Sequence, residues 1–113
     1  DEIAGQSDWI TNTITINEEA VKKGKAESLL ETCCHESRHI FQGMMCSIYR
    51  KISPEQRNLQ AFTKDDVAGW VLNYENYIED SIYYGSQPLE KDARDYAYSR
   101  ALEYYTDIDE LVQ

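Results

Sequence analysis

The chain is poor in basic residues. Lysine and arginine together number 11 against 21 aspartates and glutamates, which sets the formal net charge at −10. Phosphate contacts need a basic face, so this balance argues against a nucleic-acid binder. It equally disfavours attachment to an anionic membrane surface. No apolar run approaches the roughly 20 residues that cross a bilayer, and no signal-peptide pattern opens the chain. A cytoplasmic protein with no membrane partner is the resulting expectation. Cysteine is scarce as well: Cys33, Cys34 and Cys46 fall within one expected helix, and none sits in a C-x-x-C spacing. Adjacent helical cysteines point apart and seldom bridge, so buried, reduced thiols are expected in place of a disulfide or a thiolate metal site.

Histidine is the scarcest informative residue, with two copies, and a single five-residue stretch uses both: His35-Glu36-Ser37-Arg38-His39. This is the H-E-x-x-H pattern. On a helix, positions i and i+4 share a face one turn apart, so both imidazoles can reach one metal ion. Glu36 projects beside that ion, where it can take a proton from water. A chain of this length would show the pattern by chance roughly a few times in a thousand. The bland alternative is a surface helix that carries these residues without a metal.

What the chain does contain is the composition of a folded domain. Hydrophobic residues make up 42% and charged residues 28% of its 113 positions, which excludes a disordered chain and suits one small domain over 1–113. The sequence opens on Asp1, so that domain is compatible with being a module of a longer protein. Asp1 to Ser7 carries no strong signal. Trp9 to Ile16 alternates like a half-buried strand, with Ile10, Ile14 and Ile16 on one side and threonines on the other. Asn17 reads as a helix cap, and Gly24 as a break. From Lys25 to Lys51 the pattern predicts one long helix, apolar over a wide arc that includes Cys33, Met44 and Ile48, ending before Ser53-Pro54. Glu55 to Phe62 fits a short helix or a turn. A further helix is predicted from Asp65 to Ser81, with Val67, Trp70, Val71, Tyr74 and Ile78 on one face. After the Gly85–Pro88 loop, a last helix is predicted from Leu89 to Thr106, packed through Ala93, Tyr96, Ala97, Ala101 and Tyr104. The fold class expected is α+β and mostly helical: a short N-terminal strand region on a central motif helix, with two or three more helices.

Two histidines do not complete a catalytic zinc site, which usually has three protein ligands and an open water position. No third histidine exists, and the cysteines share the motif helix, so a carboxylate from another helix is the remaining choice. Glu90 is the best placed. It lies in the first turn of the last helix, and Ala93 and Ala97 leave its face small enough to approach the motif helix closely. The rival reading is an acidic residue favoured there by the helix dipole. Asp92 and Asp95 are candidates to hold the free nitrogens of His35 or His39, although solvated surface charge is the favoured role for either one alone. Gln42, one turn beyond His39, is placed to bond a ligand, a substrate or a neighbouring helix, and Arg38 is expected to pair with a carboxylate.

These two segments resemble the gluzincins, zinc peptidases with H-E-x-x-H on one helix and a glutamate ligand on a later one. The stretch from His35 to Gln42 is similar to the H-E-x-R-H-x-x-Q pattern of small bacterial and phage-associated members, and Pro88 to Ala97 is similar to the glutamate segment of ImmA/IrrE-type peptidases. The resemblance implies a zincin-like minimal domain that binds one Zn2+ through His35, His39 and Glu90, with Glu36 as the base that hydrolyses a peptide or protein substrate. The chain departs from the family at Arg94, where many members carry an acidic or amide residue, and in the separation of 51 positions from His39 to Glu90. An inserted helix around Trp70 accounts for the second departure. Tyr83, Tyr84 and Tyr98 are candidates to steady the oxyanion, although core packing is the favoured role for each. Two other readings stand beside the peptidase: a catalytically inactive zinc-binding regulatory or interaction domain, for which the lack of a visible cleft element speaks, and a metal-free helical interaction protein.

Overall fold

The computed structural model describes residues 5–23 and 26–112. It is mostly helical, with one two-stranded antiparallel sheet, β1 (Gly5–Asp8) and β2 (Thr13–Ile16), paired so that Gly5 faces Ile16 and Asp8 faces Thr13. The single strand predicted over Trp9–Ile16 is therefore a correction. Its first half is a turn, and the partner strand comes from the segment that carried no signal. The cause is local. The Asp8 carboxylate accepts the backbone N–H groups of Ile10 (3.0 Å) and Thr11 (3.4 Å), and Asn12 takes the left-handed conformation at φ 53°. Ile10 consequently stands 78% exposed, while Ile14 and Ile16 are half-buried as expected.

Asn17 caps α1 (Glu18–Lys23) by accepting from the N–H groups of Glu19 and Ala20, as its residue type predicts. The break expected at Gly24 lies outside the described residues. α2 (Ala26–Lys51) then runs for 26 residues and carries the histidine motif near its middle. After a 3-10 turn and the single-turn α3 (Gln60–Thr63), Asp66 caps α4 (Val67–Glu75) through the Gly69 N–H at 3.1 Å. Val67 and Trp70 of α4 enter the core beside Cys46 and Leu89.

α4 stops six residues before the predicted Ser81. The buried side chain of Gln87 explains this: its Oε1 accepts the Ile78 N–H at 3.0 Å and its Nε2 donates to the Ile78 carbonyl at 2.8 Å. Both backbone groups that another helical turn would use are occupied. α5 (Pro88–Val112) instead outruns its predicted end at Thr106, because neither glycine nor proline interrupts it. α2 and α5 form the largest contact between elements, across Ala93, Ala97 and Ala101, all buried. Side chains of one carbon let the two helix backbones approach. Four packing expectations are corrected here: Cys33, Met44 and Ile48 lie on the outer face of α2, and Tyr104 is 46% exposed. No helix among the described residues is long and apolar enough to cross a membrane.

Candidate metal centre

His35 and His39 project from adjacent turns of α2, and Glu90, the third residue of α5, meets them from across the helix pair. Pro88 opens α5, and the buried Asn73 accepts the Leu89 N–H at 2.8 Å, so the turn that holds Glu90 is capped from α4. The His35 and His39 Nε2 atoms are 3.1 Å apart. Glu90 Oε1 lies 3.2 Å from the first and 3.3 Å from the second, and Oε2 lies 3.2 Å from the second. These atoms outline a nearly equilateral triangle. Ligand bonds of about 2.0–2.1 Å at tetrahedral angles would space donor atoms about 3.3–3.4 Å apart, so the triangle matches one face of such a site. Two imidazole nitrogens and a carboxylate oxygen are also a chemically apt donor set for a divalent cation.

Glu90 is 4% exposed, and burial alone would raise its carboxyl pKa. Its polar contacts with His35 and His39 and the hydrogen bond from Tyr77 outweigh burial and hold it well below the usual carboxylate range. The Tyr77 hydroxyl donates to Glu90 Oε2 at 2.6 Å, leaving Oε1 turned to the histidines. Burial, and then the neighbouring Glu90, push the Tyr77 phenol far up. For His39, burial pulls the pKa down, and its bonds to Glu90 and Gln42 more than offset that.

Glu36 differs from these residues. It is 8% exposed and has no hydrogen-bond or ion-pair partner among the described residues, yet it lines an open cleft of about 1050 Å3. The cleft floor is the N-terminal half of α2, with His35 and His39. One wall is β1, through Gly5, Gln6 and Ser7, and the other is the segment that carries Tyr77, Tyr84 and Gly85. No cleft element was visible in the sequence, because these walls come from separate parts of it.

The structure sorts the remaining candidates. Gln42 belongs to the site: its Oε1 meets His39 Nδ1 at 2.8 Å. Asp92 touches neither histidine, so it does not take the role for which it was a candidate, and its bonds to other side chains set it apart from a solvated surface charge. It accepts from Gln42 Nε2 at 2.8 Å and from Arg38 Nε at 2.8 Å, so it reaches His39 only through Gln42. Arg38 also pairs with Asp65 at 3.2 Å, as its type predicts. Asp95 is excluded from the site, because it lies on the exposed face of α5 in an ion pair with Lys91. Arg94 lines the cleft and donates to the Gly85 carbonyl at 2.7 Å, tying the cleft wall to α5. Tyr83 and Tyr98, 62% and 66% exposed, are neither core residues nor cleft residues, whereas Tyr84 faces the cleft with its ring edge-on to Tyr77. Tyr77 itself was missed. Among nine tyrosines, nothing in its local sequence marks the one that a broken helix turns toward Glu90.

Comparison of the chain with models of known protein families, with curated proteins and with solved structures found no match.

Proposed function

We propose that the chain is a zinc-dependent metallopeptidase of gluzincin type. The observation that carries this reading is the His35–His39–Glu90 triangle with a nearly buried Glu36, unpaired among the described residues, beside it in an open cleft. A strand hairpin against the motif helix, and a glutamate from a later helix, are the parts of a minimal zincin-like domain. The ion supplies Lewis acidity, which makes water a nucleophile near neutral pH and polarises a carbonyl. Glu36 takes the proton of the attacking water and returns it to the leaving amine. β1 pairs only with β2 among the described residues, so its other edge offers backbone groups on the cleft side to an extended peptide.

The test is Glu36→Gln, which keeps the shape and removes the base. Peptide hydrolysis should fall by about 10²–10⁴-fold with zinc content unchanged. Cleavage by the variant at the wild-type rate would refute the assignment of the base. A second reading, a catalytically inactive zinc-binding regulatory domain, draws on Tyr77: this hydroxyl of the cleft is committed to Glu90 and not free to receive an oxyanion. Cleavage of any peptide in a varied library, abolished by chelator, decides against that reading.

A further inference from the structure

We infer that Arg38, Asp92 and Gln42 form a relay of hydrogen-bond polarity that holds His39 in the tautomer a metal ion requires. The inference rests on the metal-centre reading above and extends it to residues outside the ligand set. At each step the chemistry of the group leaves one direction open. A guanidinium only donates. Arg38 gives Nε and one terminal nitrogen to the Asp92 carboxylate, at 2.8 and 3.3 Å, and its cation is boxed by the rings of Phe41, Trp70 and Tyr96 at 4.8, 5.4 and 4.8 Å. Both Asp92 oxygens thus meet donors and act as acceptors.

Gln42 transmits that polarity. Asp92 Oδ2, at 2.8 Å, and the Leu89 carbonyl, at 3.0 Å, converge on the same end of its amide, and both are acceptors. That end must be the NH2. The carbonyl Oε1 is therefore turned to His39 Nδ1 at 2.8 Å. An acceptor at this position calls for a proton on Nδ1. A neutral imidazole protonated there carries its lone pair on Nε2, the atom that faces His35 and Glu90. Gln42 is 0% exposed, so water cannot replace its bonds. If the amide were reversed, it would present NH2 to Nδ1, drive the proton to Nε2 and block the ligand atom. His35 has no partner at Nδ1 among the described residues and is the more exposed ring. The relay therefore acts on one ligand of the pair.

Two variants and two measurements test it. Gln42→Met keeps the length of the side chain and removes the acceptor. Gln42→Leu removes the same acceptor with a more compact apolar side chain. Zinc affinity is read by competition with a chromophoric chelator. The tautomer is read from imidazole 15N NMR spectra of the zinc-free protein at a pH where the rings are neutral. The wild type should show His39 protonated on Nδ1. Gln42→Met should bind zinc about 10–100-fold more weakly, and both variants should lose the Nδ1–H preference of His39 while His35 is unchanged. A role in packing alone would leave the tautomer as it is in the wild type. Wild-type His39 protonated on Nε2 would overturn the relay, as would a tautomer or zinc affinity unmoved in folded Gln42→Met. If Gln42→Met does not fold, Gln42→Leu decides by the same criteria. A wild-type chain that binds no zinc refutes the metal centre, and the tautomer, read without metal, still decides the relay.

Discussion

The three cysteines have the same side chain within one helix, and their surroundings set their chemistry. Cys46 is fully buried beside Trp70 and Leu89, and burial pushes its thiol up to about 11. Cys34 is raised too, by burial and then by Cys33. Cys33 points to solvent. Because the thiolate is the nucleophile, a thiol reagent applied to the native protein near neutral pH should label Cys33 within minutes and leave Cys46 unmodified until the chain is unfolded. Mass-spectrometric mapping of the label checks this, and early modification of Cys46 would contradict its placement in the core. Residue-scale legibility divides along the same line. His35, Glu36 and His39 were readable because the helix repeat alone puts them together. Gln42 and Glu90 were readable as members of the site because each continues a helical stripe. The bonds of Asp92 to Gln42 and of Tyr77 to Glu90 were not, because each depends on the packing of α2, α4 and α5, which no local pattern encodes.

Elements were legible where periodicity is long and obscured where a side chain overrides it. α2 ends where predicted, since 26 residues of apolar patterning outweigh local accidents. The short segments went otherwise: Asp8 bends the predicted strand into a hairpin, and Gln87 takes the backbone of Ile78 before α4 can continue. The hairpin is placed by a close approach. The Trp9 ring lies on the backbone of α2 at Gly43, where an added methyl group would overlap it. Gly43→Ala gains helix propensity of about 1 kcal/mol, so propensity alone predicts a more stable protein. Overlap with an aromatic ring costs about 1–3 kcal/mol, and here it falls on the residue that seats the cleft wall. The net expectation is a chain destabilised by up to about 2 kcal/mol, with altered Trp9 fluorescence. Urea denaturation followed at the tryptophans measures both, and a stabilised Gly43→Ala would show that Trp9 does not rest there.

At the scale of the whole molecule, the candidate centre joins parts of the chain that are far apart in sequence. Glu90 meets residues 55 and 51 positions earlier, and Tyr77 ties the cleft wall to the same carboxylate. An unfolded chain cannot keep these donors together, so an ion held by all three binds the folded state alone and stabilises it by mass action. At a free concentration of about 100 times Kd the gain is about 2.7 kcal/mol. For a domain of this size that corresponds to a rise in Tm on the order of 10 °C. Calorimetry with zinc and with a chelator should show this shift. Glu90→Gln retains the length of the side chain and removes the charge, so it should lose most of the shift. Glu36→Gln should keep it, because among the described residues Glu36 forms no hydrogen bond or ion pair with the three candidate ligands. A shift that survives Glu90→Gln in full would mean that zinc binds elsewhere, for instance on the acidic surface implied by the net charge of −10. A shift lost in Glu36→Gln would make that carboxylate a ligand and leave the site without its base. One measurement of stability on these two variants therefore separates the carboxylate that holds the ion from the one that lies beside it.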